Sequence, residues 1–269
     1  MISDAEKRRF FEQGYVVVEG LVPESLCRAS REAVSSYLNV DAEDSSTWYR
    51  RNVHGHGIVP LHHAQAFWDV RQYPPVHRAF ADLYGTDELW VSIDRASFKP
   101  PARGFEGTYR LEPIHWDGDP RAPGLSIQGL VYLTDTTPEQ GGFCCVPDLY
   151  RHLDVWLACR HDRSLRRPDV SGFDVVSVGA PAGSLILWNR KLPHSSGENR
   201  GQTPRWVQYV GMEPAGTDAD REQLATLHRE KRPPAWAVRQ QIADQQIPEP
   251  GDPAALNELG RKLAGLEPW

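Results

Sequence analysis

The chain has 269 residues, 40% of them hydrophobic and 25% charged, with a net charge of −6. That is enough chain for a sizeable core, and the composition is that of an ordinary globular protein. The acidic balance argues against a surface built for nucleic acid or anionic lipid, which needs clustered lysine and arginine.

Residues 3 to 13, SDAEKRRFFEQ, read as a helix: Ser3 can cap it and Glu6, three residues on, completes a capping box. This opening has no apolar signal region, and no run in the chain approaches the ~18 apolar residues of a membrane helix, so a cytoplasmic protein is expected. Gly14 ends the helix and the β-branched YVVVEGLV follows as a strand. PESLCRASREAVSSYL starts with Pro23 and Glu24 in a first turn and carries Leu26, Ala29, Ala33, Val34 and Leu38 at helical spacing. Residues 41 to 75 are irregular and rich in His, Trp and Arg, and a loop that long is usually functional. Its histidines, His54, His56, His62 and His63, are read as a lid presenting polar groups to a substrate, with an ordinary surface loop as the plainer alternative. A second metal there is disfavoured, because His62 and His63 are adjacent and would point apart in an extended segment. VHRAFADLYG is a short helix.

From residue 89 the pattern turns to strands: LWVSIDRASFK, PIHWD, LSIQGLVYLTD, GFCCVPD, FDVVSVG, GSLILWN and RWVQYVGM, separated by turn formers such as DGDPRAPG, TTPEQGG and NRGQTP. Seven or eight short strands suggest a sandwich or jelly roll, mainly β with flanking helices. Residues 215 to 269 are polar and partly helical, notably in LNELGRKLAGL. One domain over 1–269 is expected, with a β core at about 89–212, N-terminal helices and the loop region in 1–88, and a helical extension in 213–269. The four cysteines (Cys27, Cys144, Cys145, Cys159) form no C-x-x-C pair and read as reduced thiols.

The chemistry sits in EPIHWDGDP. His115 and Asp117 are two apart, so on a strand they share a face, while Trp116 points the other way into a core. A second histidine, His194, follows an apolar strand and a short turn in LILWNRKLPHSSGENR. Two histidines and one carboxylate make the facial triad of non-haem iron(II), which leaves positions open for a bidentate 2-oxo acid and dioxygen. The remote carboxylate of 2-oxoglutarate needs a cation of fixed geometry, and Arg205, eleven positions after His194, opens the next strand. Ser196 can donate a hydroxyl hydrogen bond to the same group. Arg200, in the turn GENRGQ, is read as solvated.

Taken singly, each residue has a plainer reading. His115 and Asp117 could be a strand-end pair bonded to each other. His194 could be a capping histidine and Arg205 a surface arginine. Asp117 and Asp119 could be a calcium-loop fragment, although the full spacing is missing. The register of all of them together favours the metal site.

The set H-x-D (His115, Asp117), H-x-S (His194, Ser196), Asn199 and Arg205 resembles the phytanoyl-CoA dioxygenase family. RRFFEQGYVVVEGLVPESL and VYLTDTTPEQGGFCCVPD are similar to it as well, and the resemblance covers roughly residues 7 to 38 and 89 to 212. It implies a double-stranded β-helix, a cupin-like jelly roll, and an Fe(II)- and 2-oxoglutarate-dependent oxygenase using dioxygen. Metal ligands would be His115, Asp117 and His194. Arg205 and Ser196 would hold the cosubstrate, with Lys99 in SFKPP on the cosubstrate side, as in some relatives. The sequence departs from the family where Asp148 and Leu149 replace small residues, so the rim beside the site differs. Halogenating relatives lack the carboxylate, so Asp117 favours hydroxylation, with desaturation, epoxidation or ring formation left open. The substrate is expected to be a small metabolite or natural-product intermediate, and the protein a monomer or homodimer. A cupin-like zinc hydrolase or isomerase and a non-enzymatic binding protein are the alternatives.

Overall fold

Ser3 starts the first helix as the capping box requires. Its hydroxyl accepts from the Glu6 N–H at 3.3 Å and the Glu6 carboxylate accepts from the Ser3 N–H at 2.7 Å, so two otherwise unpaired donors are satisfied. The computed structural model describes residues 2–49, 57–102, 113–159, 166–240, 242 and 247–269. Helix α1 (Asp4–Gln13) ends at Gly14, whose φ of 81° a side chain would strain. Strand β1 (Tyr15–Val18) and helix α2 (Glu24–Leu38) follow, then β2 (Ile58–Val59), α3 (Gln65–Arg71) and α4 (Pro74–Tyr84).

The stretch expected as one strand at 89–99 is two, β3 (Leu89–Ser92) and β4 (Ala96–Lys99). Asp94 turns the chain between them: its N–H donates to Ser92 O and its carboxylate caps the Arg95 N–H at 2.8 Å. The remaining strands are β5 (Ile127–Tyr132), β6 (Phe143–Cys145), β7 (Val176–Val178), β8 (Leu185–Asn189), β9 (His194–Ser196), β10 (Arg205–Tyr209) and β11 (Gly211–Pro214). Short helices α5 (Pro147–Arg151) and α6 (Leu153–Ala158) sit between β6 and β7; α7 (Asp218–Glu230), α8 (Ala235–Arg239) and α9 (Glu258–Leu263) close the chain.

All strand pairings among the described residues are antiparallel. The large sheet runs β1-β8-β5-β10-β4-β2, with β11 joining β5 and carrying β3; the small sheet is β7-β6-β9. The large sheet therefore reaches back before residue 89, since β1 pairs with β8 and β2 with β4. Alternation along the strands splits the interior in two. Ile127, Val131, Leu185, Leu187 and Trp206 pack outward against α2, α3 and α4. Leu130, Tyr132, Ile186, Trp188 and Val207 pack inward with Phe143, Cys145 and Val178 of the small sheet. The candidate site lies at the edge of this second, inter-sheet core.

Candidate metal centre

His115 is not in a regular strand. It forms an isolated antiparallel bridge with His194, the two residues exchanging both backbone hydrogen bonds at 3.0 Å. Residues directly opposite in such a pair project from the same face, so two histidines far apart in sequence become neighbours, with ring centroids 5.0 Å apart. Asp117, two residues along, comes to that face too. Trp116 takes the opposite one: it is fully buried, donates to Lys191 O at 2.8 Å and packs edge-on to Trp156.

The imidazoles are oriented by the backbone. His115 Nδ1 lies 3.0 Å from Pro113 O and His194 Nδ1 lies 2.9 Å from Leu192 O. A carbonyl only accepts, so each Nδ1 carries a proton, which leaves Nε2 as the nitrogen able to offer a lone pair to a metal. Those Nε2 atoms face Asp117 at 3.5 Å (Oδ1, from His115) and 3.4 Å (Oδ2, from His194). One ligand atom from each of the three residues lies within 4.8 Å of the others. Lone pairs converging on an ionised carboxylate repel unless a cation, or added protons, sits among them. Burial works against charge on Asp117, yet where protons rather than a cation sit among the three, those shared from His115 and His194, the positive charge at His194 and the Gln128 amide hold the carboxyl well below the ordinary carboxylate range. The donor set of two imidazole nitrogens and one carboxylate fits a divalent transition metal.

A second feature lies deeper between the sheets. Arg205 opens β10 opposite Lys99 of β4, and the two side chains are 1% and 2% exposed. Arg205 donates to Gly141 O at 3.0 Å and to Ser97 Oγ at 2.8 Å, while its Nε has no partner among the described residues. No carboxylate among the described residues forms an ion pair with this buried guanidinium, so an anionic ligand would complete it. Lys99 Nζ donates to Ser196 Oγ at 2.6 Å and to Gly197 O at 2.9 Å. Ser196 is thus joined to Lys99, and Lys99, Ser196 and Arg205 form one group. Arg200 is exposed and pairs with Glu198. Asn199 is fully buried and ties the turn to β4 through Lys99 O at 2.8 Å.

The lid expected from the histidine-rich loop is corrected for its described half. His62 and His63 are each 2% exposed. His62 Nδ1 contacts Ile93 O at 3.2 Å and His63 Nε2 contacts Arg232 O at 2.8 Å, while Glu249 accepts from both backbone N–H groups. Burial pushes both imidazoles down to about 3, so they are neutral tethers and present nothing to a substrate. His54 and His56 lie outside the described residues. Leu149, at the departure from the family pattern, is buried against Trp116. Sequence reasoning passed over Gln128, an inward-facing amide of β5, which donates to Asp117 at 2.6 Å.

An antiparallel β protein carrying a two-histidine, one-carboxylate group beside a buried arginine and lysine is the class that the fold and site define. A family model described as phytanoyl-CoA dioxygenase matches residues 10–207, and the chain belongs to that family. The family uses iron(II), 2-oxoglutarate and dioxygen, and its members are oxygenases. A Dictyostelium discoideum protein described as a phytanoyl-CoA dioxygenase is 21% identical over 261 residues, covering 77% of this chain and 75% of its own. Ava biosynthesis cluster protein O of Aspergillus versicolor is 25% identical over 205 residues, covering 66% of this chain; the chain spans 65% of that relative's length. Among solved structures, a hypothetical protein from Escherichia coli superposes with a TM-score of 0.73 at 15% identity, over 98% of this chain and 82% of that one. The α-ketoglutarate-dependent carbocyclase SnoK from nogalamycin biosynthesis gives 0.57 at 21% identity, over 79% and 84%. The epimerase SnoN, solved with Fe3+, α-ketoglutarate and nogalamycin RO, gives 0.59 at 16%, over 94% and 95%. These likenesses show a shared fold. No helix among the described residues is long and apolar enough to cross a membrane.

Proposed function

We propose that this protein is an Fe(II)- and 2-oxoglutarate-dependent dioxygenase that oxidises an unactivated C–H bond of a small molecule, by hydroxylation. Its two sheets are read as the halves of a double-stranded β-helix within one domain spanning 1–269. The observation that carries the proposal is the convergence of His115 Nε2, His194 Nε2 and Asp117, with each Nδ1 already committed to a backbone carbonyl.

His115, His194 and Asp117 would hold the iron. Bound iron, with 2-oxoglutarate and dioxygen, supplies oxidising chemistry that inserts one oxygen atom into the substrate C–H bond and releases succinate and carbon dioxide. Arg205 would bind the distal carboxylate through its guanidinium fork, with Lys99 adding a second positive charge and Ser196 fixing the lysine. The apolar wall of Phe143, Trp188 and Val207 keeps water from the space between the sheets. Asp117 occupies the position that halogenating relatives leave open, which supports hydroxylation. SnoK, which comes from nogalamycin biosynthesis, and the Aspergillus relative, an Ava biosynthesis cluster protein, support a natural-product intermediate as substrate. Four free cysteines suit a reducing, cytoplasmic setting.

The test is cosubstrate turnover. Purified protein given Fe(II), 2-oxoglutarate and air should form succinate slowly without substrate and faster with the correct one. Zinc in place of iron should give none. Iron-independent turnover of a hydrolysable substrate would instead support the hydrolase alternative.

A further inference from the structure

Gln128 stands opposite Trp188 in the β5–β8 register, and both project into the inter-sheet space. The Gln128 Nε2 donates to Asp117 Oδ2 at 2.6 Å, and its Oε1 accepts from Trp188 Nε1 at 3.1 Å. An indole N–H is a donor only, so it must meet the amide oxygen. That contact settles which end of the Gln128 amide faces the carboxylate: the NH2 end is turned to Asp117. The indole also packs on the His194 ring, with centroids 5.2 Å apart, and is 3% exposed. One rigid aromatic residue thus supports a histidine of the triad directly and the aspartate through a single amide.

We propose that Gln128 is a positioning residue for the metal-binding carboxylate, and that Trp188 sets its direction. By holding Asp117 Oδ2, Gln128 leaves Oδ1 as the oxygen offered to the metal and limits rotation of the carboxylate. Asp117 follows an irregular backbone stretch and its side chain is 37% exposed, so packing alone does not fix it. A ligand that rotates freely must be ordered when the metal binds, and that ordering weakens affinity.

The inference rests on the metal-site reading above, and metal titration separates the two. Full-length metal-free protein is titrated with Mn(II), with the free ion followed by electron paramagnetic resonance, alongside the melting temperature of the metal-free form. Gln128→Met keeps the length of the side chain and removes its hydrogen bonds. The expected result is a Kd for Mn(II) about 10- to 100-fold weaker, with the metal-free melting temperature held. Trp188→Phe frees the amide to turn, and a smaller weakening, roughly 3- to 10-fold, is expected on the same scale. Wild-type protein that binds no Mn(II) overturns the metal reading itself. Wild type that binds, with Gln128→Met binding equally well, overturns only the role of Gln128. Should Gln128→Met fail to fold, Trp188→Phe decides: weaker binding supports the proposal and unchanged binding overturns it.

Discussion

At position 194 the imidazole commits Nδ1 to Leu192 O and turns Nε2 toward Asp117, and His115 does the same through Pro113 O. Replacing His194 with Ala would remove one of the three proposed ligands. Metal affinity should fall at least about 100-fold, measured by titration with Co(II), whose absorption reports the site. Arg205→Met should act differently, leaving metal affinity unchanged and weakening 2-oxoglutarate binding. The loss of a charge-assisted fork is worth about 2–3 kcal/mol, or roughly 30- to 150-fold in Kd, which calorimetry on metal-loaded protein would read. Equal loss of metal in both variants would contradict the separate tasks assigned to them. That His115, Asp117 and His194 would meet was legible from the i, i+2 spacing of the first two and a histidine after a distant apolar strand. Gln128 was not, since its partners are fixed by cross-strand register, which a single sequence does not display. His62 and His63 misled because histidine count says nothing of burial.

Among the elements, turns carry the register. Gly183 precedes β8 at φ 78°, and a Cβ there would come within 2.2 Å of the Val22 carbonyl oxygen. Gly183→Ala should cost about 2–4 kcal/mol from backbone strain and overpacking together, visible as a lower midpoint in urea with unchanged slope. The helices α1, α2 and α4 and most strands could be read from caps, Pro and Gly placement and alternation. The break between β3 and β4 could not. The apolar positions only shift from odd (Leu89, Val91, Ile93) to even (Ala96, Phe98), and the turn at Asp94 with pairing to different neighbours, β3 with β11 and β4 with β10, parts them. Strand β9 was hidden for a similar reason: its three residues, His194 to Ser196, are extended because β6 pairs with them.

Across the whole molecule, the segment near residue 60 is locked to the C-terminal region by Glu249 and Arg232, far from it in sequence. The two buried histidines make this junction acid-sensitive. Their folded values lie near 3, against about 6.5 in the unfolded chain, so between those limits the unfolded chain takes up protons that the folded one refuses. Stability contributed by neutral His62 and His63 is complete above pH ~6.5 and falls as pH drops toward 3. At pH 5 the loss is about 2 kcal/mol for each histidine, offset in part by Glu249 and Asp94, which burial makes easier to protonate in the folded state. Urea denaturation at pH 7.5 and pH 5 should show this loss in wild type and a smaller one in His63→Gln; equal losses would assign the acid sensitivity elsewhere. The strand count announced a mainly β protein, but the extension of the large sheet to its edges at β1 and β2 depends on long-range pairing that local pattern does not encode.

The most direct trial of the central claim is anomalous diffraction at the iron edge from crystals loaded anaerobically with Fe(II). A single strong peak within bonding distance of His115 Nε2, His194 Nε2 and an Asp117 oxygen is the predicted result. Iron bound elsewhere with these three side chains unengaged would contradict it.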